Sequence, residues 1–202
     1  MMDVQQLSKK LQSDKRLEDL ISDFHISFEE LSITVSESDL KQVLIILRDE
    51  QSYLFKILLD ICGVDDPKKD KRFTVVYQLL SIEHNLRIKV KVEVSDEDFV
   101  PTVKDVFSSA HWYEREVWDM YGIFFVGNDD LRRILTDYGF SGFPMRKDFP
   151  LTGNVEVRYD LEKQKVIYEP VKLAQEFRDF DFKSPWEGED YILPGDEKAT
   201  KQ

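Results

Sequence analysis

The chain has 202 residues but only one cysteine, Cys62, and three histidines. One cysteine cannot form an intrachain disulfide, which excludes a disulfide-stapled secreted scaffold and fits a reducing compartment. An iron–sulfur cluster held by this chain alone would need about four thiolates. His25, His84 and His111 are far apart in sequence, so we expect them on the surface or in packing roles rather than as metal ligands.

The sequence also lacks long apolar runs and an excess of basic residues. No segment approaches the ~18 to 20 apolar residues of a membrane-spanning helix, and the first residues show no apolar signal-peptide core. Lysine and arginine number 28 against 40 acidic residues, a formal net charge of −12. This charge argues against nucleic-acid binding and against attachment to anionic lipid by charge alone. We therefore expect any membrane association to come through partners, without a span of its own.

What the sequence does have is clear hydrophobic periodicity, which predicts an α+β fold with a mixed or antiparallel sheet and flanking helices over residues 1–153. The predicted core face of the strand within residues 53–64 carries Phe55, Ile57, Leu59 and Ile61. The predicted elements are an amphipathic helix between Val4 and Ile21, a strand at 30–35, a helix at 40–50, strands within 53–64, 72–82 and 85–94, and a helix at 95–110.

Residues 154–202 have a different character. "VEVRYDLEKQKVIYEP" predicts a β-hairpin. Beyond Pro170 the apolar residues are sparse and nearly all aromatic, which is typical of an extended arm that lies on another surface. The alternative is a disordered acidic tail, which the composition favours beyond Trp186. The aromatic residues in question are Phe177, Phe180, Phe182, Trp186 and Tyr191.

The segment from Trp112 to Gly153, here called the interface segment, is either an active site or a surface that another protein covers. It holds ten of the 25 phenylalanine, tryptophan and tyrosine residues of the chain. Large aromatics beside arginines are typical of interface centres. "WYEREVWDMYG" predicts a helix that ends at Tyr121 with Gly122 following it, and a second short helix is predicted from Leu131 to Tyr138.

The charged residues of the interface segment leave several interpretations open. Glu114, Glu116 and Asp119 could be acid–base groups or ligands of a hard metal, but carboxylates two residues apart point to different faces of a helix. A helix with a solvated charged face is the simpler alternative. The basic residues are matched by acids, so they either hold an irregular loop rigid or bind a partner's carboxylates. These residues are Arg132, Arg133, Arg146 and Lys147, with Asp129, Asp130, Asp137 and Asp148.

Three stretches of the interface segment, "YEREVWDMYGI", "DLRRILTDYGF" and "RKDFPLTG", resemble the signature of the 30 kDa-type subunit family of proton-pumping NADH–quinone oxidoreductase, respiratory complex I. Similarity to the same family also extends over "LLDICGVDDP", "RFTVVYQLLSIEHNLRIKVKV" and "YEPVKLAQEFRDFDFKSPWE", so the resemblance spans about Phe55 to Glu187. In two places the chain departs from the family pattern: Asn128 and Asp129 replace His-Pro, and Phe143 replaces the histidine of Gly-His-Pro.

The resemblance implies a non-redox scaffold subunit of the peripheral arm, without catalytic residues or a cofactor of its own. FMN, iron–sulfur clusters and quinone would be bound by partner subunits, which move electrons from NADH to a quinone such as ubiquinone and translocate protons. The chain would pack against the large quinone-site subunit and near the subunit that carries the terminal cluster. It would lie on the cytoplasmic face of a bacterial inner membrane or on the matrix face of the mitochondrial one.

The residues expected at partner interfaces are Glu114, Arg115, Glu116, Asp119, Arg132, Arg133, Arg146, Lys147, Asp148, Phe180, Phe182 and Trp186. Two alternatives to this function stay open. The first is the equivalent subunit of a membrane-bound hydrogenase or of a ferredoxin-using NDH-type complex. The second is a free-standing acid–base enzyme.

Overall fold

The computed structural model describes residues 3–175. They belong to two compact units, one that ends at Pro150 and one that begins at Leu151. The predictions for Phe177, Phe180, Phe182, Trp186 and Tyr191 lie outside the described residues. The helices are α1 (Val4–Ser13), α2 (Leu40–Asp49) and α3 (Ala110–Tyr121), and the strands are β1 (Ile21–Ser27), β2 (Glu30–Val35), β3 (Ile57–Asp65), β4 (Phe73–Ser81), β5 (Leu86–Val94), β6 (Phe99–Pro101), β7 (Phe124–Val126), β8 (Val155–Asp160) and β9 (Lys165–Pro170).

The first unit is built on a five-stranded mixed sheet in the order β1-β2-β5-β4-β3. Strands β2 and β5 run parallel, and the other neighbours are antiparallel. Because side chains alternate along a strand, β5 buries Leu86, Ile88, Val90, Val92 and Val94 on one face. The apolar sides of the three helices join the same core, with α3 lying against β3. The predicted α+β fold with a mixed sheet and flanking helices is confirmed.

Two local predictions in the first part of the chain are wrong. The first helix ends at Ser13, and the largely polar stretch Ile21–Ser27 forms edge strand β1, in which only Ile21 is buried. In β3, Leu58 pairs with Leu79 and Asp60 with Gln78, so Leu59 is an extra, exposed residue. This bulge shifts the inward positions to Leu58 and Ile61, and the predicted core positions of Ile57 and Leu59 fail.

The helix predicted over 95–110 is also wrong. The backbone N–H of Ser95 donates to the Asp98 carboxylate at 2.8 Å, which closes a turn in place of a helical cap. Residues Phe99–Pro101 then form β6, which pairs in parallel with β7. Pro101 ends this short edge strand, where its missing N–H costs little.

The second unit contains the predicted hairpin, which is confirmed. Strands β8 and β9 are antiparallel, with Val155 opposite Pro170, Val157 opposite Tyr168 and Tyr159 opposite Val166. Throughout the described residues, no helix combines the length and the apolar character that crossing a membrane requires.

Candidate functional site

The helix α3 begins the interface segment, and three of its charged side chains point into the protein. Glu114 and Asp119 are fully buried and Arg115 is 4% exposed, whereas Glu116 is exposed. The simpler alternative, a helix with a solvated charged face, is therefore wrong. Burying a charge is costly unless hydrogen bonds and paired charges satisfy it, and the irregular chain that follows α3 supplies most of the partners.

Glu114 holds the two strand ends next to α3. Its carboxylate accepts hydrogen bonds from Thr102 Oγ1 at 2.6 Å and from the Val103 backbone N–H at 2.7 Å. A third bond, at 2.9 Å, comes from Asn128 Nδ2. Asn128, at one of the places where the chain departs from the family pattern, is therefore a buried donor to Glu114.

Asp119 organises the chain from Arg133 to Thr136. Its carboxylate accepts from the backbone N–H groups of Ile134, Leu135 and Thr136 at 3.0, 2.8 and 3.0 Å, from Thr136 Oγ1 at 2.6 Å and from Arg133 Nη1 at 2.8 Å. Burial alone would raise the pKa of Asp119, but these bonds outweigh it and hold that pKa well below its usual range. The predicted helix from Leu131 to Tyr138 is wrong, since this stretch turns around the carboxylate.

Arg133 clamps the loop from the other side. Its guanidinium donates to the carbonyl oxygens of Phe140 and Gly142 at 3.1 and 3.0 Å. It also lies 5.2 Å from the ring centre of Trp118 and 5.1 Å from that of Phe143, distances of cation–π contacts. Several aromatics of the interface segment thus serve the internal structure, including Phe143, the second departure from the family pattern.

Arg146 ties the end of the segment to the body of the unit. Its Nε donates to the Tyr121 carbonyl at 2.6 Å, and its Nη1 forms an ion pair with Asp96 at 2.9 Å. The guanidinium lies 4.8 Å from the ring centre of Phe73 and 4.9 Å from that of Phe143. Arg146 therefore has an internal role, whatever it contacts outside.

Lys147 and Asp148 are joined to the sheet through Asp65, the last residue of β3. The Lys147 backbone N–H donates to Asp65 Oδ2 at 2.6 Å. Arg72 bridges the two acids, with its Nε 2.6 Å from Asp65 Oδ1 and its Nη2 2.9 Å from Asp148 Oδ1. The Arg72 guanidinium holds the pKa of Asp65 below its usual range.

Other side chains of the segment face outward. Trp112, Leu135, Tyr138 and Met145 are 59, 62, 77 and 52% exposed; we call these four residues the exposed face. Among the predicted partner contacts, Glu116, Arg132, Lys147 and Asp148 are exposed, Arg133 and Arg146 are half-buried, and Glu114, Arg115 and Asp119 are buried. Phe180, Phe182 and Trp186 lie outside the described residues. Contact of these residues with a partner stays a prediction.

Some anchors of the segment lie outside it and were not predicted from the sequence, namely Asp65, Arg72, Asp96 and Thr102. Sequence gives no signal for Asp65, whose bond to Lys147 spans 82 positions. The sequence gives a weak indication that Asn128 is buried, because this polar residue closely follows the apolar strand "FFV".

Three further features of the described residues bear on chemistry: groups of metal-binding side chains, the single thiol and an open cleft. In the part of the chain that the structure describes, no group of three or more His, Cys, Asp or Glu side chains could hold a metal ion. Burial raises the pKa of the Cys62 thiol, which makes it a weak nucleophile. An open cleft of about 630 Å³ is lined by Asp3, Val4, Gln5, Ile26, Glu29, Glu30, Leu80, Asn85, Leu86 and Arg87, residues outside the interface segment.

Comparison with known proteins identifies the family to which this chain is similar. A model of the respiratory-chain NADH dehydrogenase 30 Kd subunit family matches residues 33–155. The C subunit of the NADH-quinone oxidoreductase of Paramagnetospirillum magneticum is 61% identical over 171 residues, 85% of this chain and 85% of that protein. Its counterpart in Parvibaculum lavamentivorans is 57% identical over 183 residues, 91% of this chain and 92% of that protein.

One solved structure is also similar. It is that of the membrane-bound sulfane sulfur reductase, described as an archaeal respiratory membrane complex. One of its chains is 28% identical, with a TM-score of 0.61, over 73% of this chain and 85% of that one. The resemblance found in the sequence is thus confirmed, and the chain belongs to the 30 Kd subunit family of respiratory-chain NADH dehydrogenase, the family of the NADH-quinone oxidoreductase C subunits.

Proposed function

We propose that this chain is a non-redox structural subunit of the peripheral arm of a proton-translocating NADH:quinone oxidoreductase, and that its exposed face is covered by a neighbouring subunit. The observation that carries the proposal is the way the charges of the segment are used. Glu114 accepts hydrogen bonds from the chain that follows β6, and Asp119 and Asp65 accept hydrogen bonds from the irregular loop.

The internal clamps make the exposed face a rigid platform. Leu135 is fixed through its backbone N–H to Asp119, and Arg115 contributes a cation–π contact 5.1 Å from the Trp112 ring centre. A preorganised surface loses little conformational entropy on binding, so more of the contact energy appears as affinity. Exposed tryptophan and tyrosine on such a surface have the composition of binding hot spots.

For the partners we propose the large quinone-site subunit and the subunit that carries the terminal iron–sulfur cluster. FMN, the clusters and the quinone belong to partner subunits in this proposal, and the chain contributes positioning alone. The complex would lie on the cytoplasmic face of a bacterial inner membrane. The names of the relatives support an NADH- and quinone-dependent enzyme.

A second candidate is the equivalent subunit of a different respiratory complex, such as a ferredoxin-using or sulfur-reducing one. The similarity to a chain of the sulfane sulfur reductase favours it. Identity to that chain is 28%, against 57 to 61% to the NADH-quinone oxidoreductase relatives. The NADH-dependent enzyme is therefore the better supported of the two.

The test introduces two acidic side chains into the exposed face and measures the effect on the whole enzyme. We expect Leu135→Glu combined with Tyr138→Glu to lower both retention of the chain in the purified complex and NADH:quinone activity. Loss of a hot spot costs about 2–4 kcal/mol, so binding would weaken by roughly 30-fold or more.

The matched control is Phe28→Glu, which replaces an aromatic that is 98% exposed in the β1–β2 turn. This control should change neither retention nor activity. The proposal fails if the Leu135/Tyr138 variant assembles and reduces quinone like the wild type. Unfolding of each isolated chain, measured in denaturant, separates loss of binding from loss of folding.

A further inference from the structure

The hairpin formed by β8 and β9 has one apolar face and one mostly polar face. Its register places Val157 opposite Tyr168 and Tyr159 opposite Val166, all on the side that also carries Val155. These five side chains, the apolar hairpin face, are each between 54 and 63% exposed. Apolar patches of this size rank with the largest that monomeric proteins expose, and such patches are often functional.

The opposite face of the hairpin is mostly polar, with Ile167 as its one apolar residue. Arg158 donates to both carboxylate oxygens of Glu169, at 2.8 and 3.0 Å, and Asp160 pairs with Lys165 across the strands. Alternation of this kind is typical of a sheet with one solvated face and one packed face. A two-stranded hairpin is marginally stable on its own in water. We therefore expect another surface to pack against its apolar face.

We propose that the apolar hairpin face docks on an apolar surface of another subunit of the oxidoreductase, as a contact separate from the exposed face of the interface segment. This inference rests on the proposed function, because it requires that the chain already be held in the complex. Once it is, a second contact forms at a high effective concentration and needs little area of its own.

The size of the face argues against a second copy of this chain as the occupant. Five partly exposed side chains of this kind offer roughly 500 Å², whereas a stable interface buries about 800 Å² on each partner. The charge of the hairpin and the residues around it argues against lipid. Residues 151–175 hold four acids and four bases, so no cationic excess would attract an anionic membrane.

The test uses a benzophenone amino acid, a photo-crosslinker, introduced singly into the chain within the intact, purified enzyme. Val157 and Val166 probe the apolar hairpin face, and Lys165, the neighbour of Val166 on the polar face, is the matched control. We expect illumination to join Val157 and Val166 to a different subunit of the enzyme, severalfold more efficiently than Lys165. A fourth probe at Tyr138 tests the exposed face independently.

Each result decides one of the proposals. Adducts of Val157 and Val166 with lipid, with a second copy or with residues 176–202 of the same chain would overturn the hairpin proposal. A yield at Lys165 equal to that at Val166 would do so too. If Tyr138 crosslinks to a subunit while Val157 and Val166 do not, the hairpin inference alone is wrong. If Tyr138 forms no adduct with a subunit, the proposed function itself fails.

Discussion

Asp119 makes the strongest single contribution to the shape of the interface segment, because one buried carboxylate accepts five hydrogen bonds from Arg133, Ile134, Leu135 and Thr136. We predict that Asp119→Asn destabilises the chain by about 3 kcal/mol or more, since removing one partner of a buried pair leaves the other uncompensated. Chemical denaturation of the isolated chain measures this loss. Glu116→Gln, an exposed change on the same helix, should stay within about 0.5 kcal/mol of the wild type.

The pH dependence of stability tests the role of Asp119 in a second, independent way. The pKa of Asp119 is lowered in the folded chain, so its contribution is complete above the ordinary carboxyl pKa of about 3.9. That contribution is lost as the pH falls from there towards the folded-state value. The wild type should therefore lose more unfolding free energy below about pH 4 than Asp119→Asn does. Parallel curves for the two proteins would show that Asp119 is not the anchor described.

At the scale of elements, the end of α3 fixes where the loop begins. Gly122 has φ +80°, and a Cβ atom there would lie 2.6 Å from the Phe143 ring. A non-glycine residue in this conformation costs about 1–3 kcal/mol, and the clash adds to it. We predict that Gly122→Ala lowers the midpoint of thermal unfolding by several degrees.

The control for this prediction is Gly139→Ala in the same segment. A Cβ atom at Gly139 would meet nothing within 4 Å, so this change should leave the midpoint nearly unchanged. Equal effects of the two substitutions would mean that the left-handed turn after α3 does not constrain the loop.

The elements also show what sequence periodicity can and cannot predict. β4, β5 and α2 have one continuous buried face, so their spacing predicted them. β1 is an edge strand with a polar sequence. Its hydrogen bonds to β2 hold it in the sheet, and it has no buried face whose apolar alternation could predict it. The bulge at Leu59 and the turn around Asp119 depend on partners on other elements. Local pattern carries no information about such partners.

At the scale of the whole molecule, the sequence predicted where the candidate site lies but not how its residues are arranged. Aromatics and arginines located the interface segment in the sequence, yet Phe143, Trp118, Arg133 and Arg146 are used largely to hold it together. The bonds responsible join distant positions, such as Asp65 with Lys147. Composition therefore identifies a surface of this kind, while long-range hydrogen bonds decide which of its residues remain available to a partner.

The central claim is that another polypeptide covers the exposed face of the interface segment. Hydroxyl-radical footprinting tests it most directly, by comparing oxidation of Trp112, Tyr138 and Met145 in the isolated chain and in the intact enzyme. We predict rapid oxidation of all three in the isolated chain and strong protection in the enzyme, with Phe28 equally reactive in both. Equal oxidation of the three residues in the two samples would contradict the account.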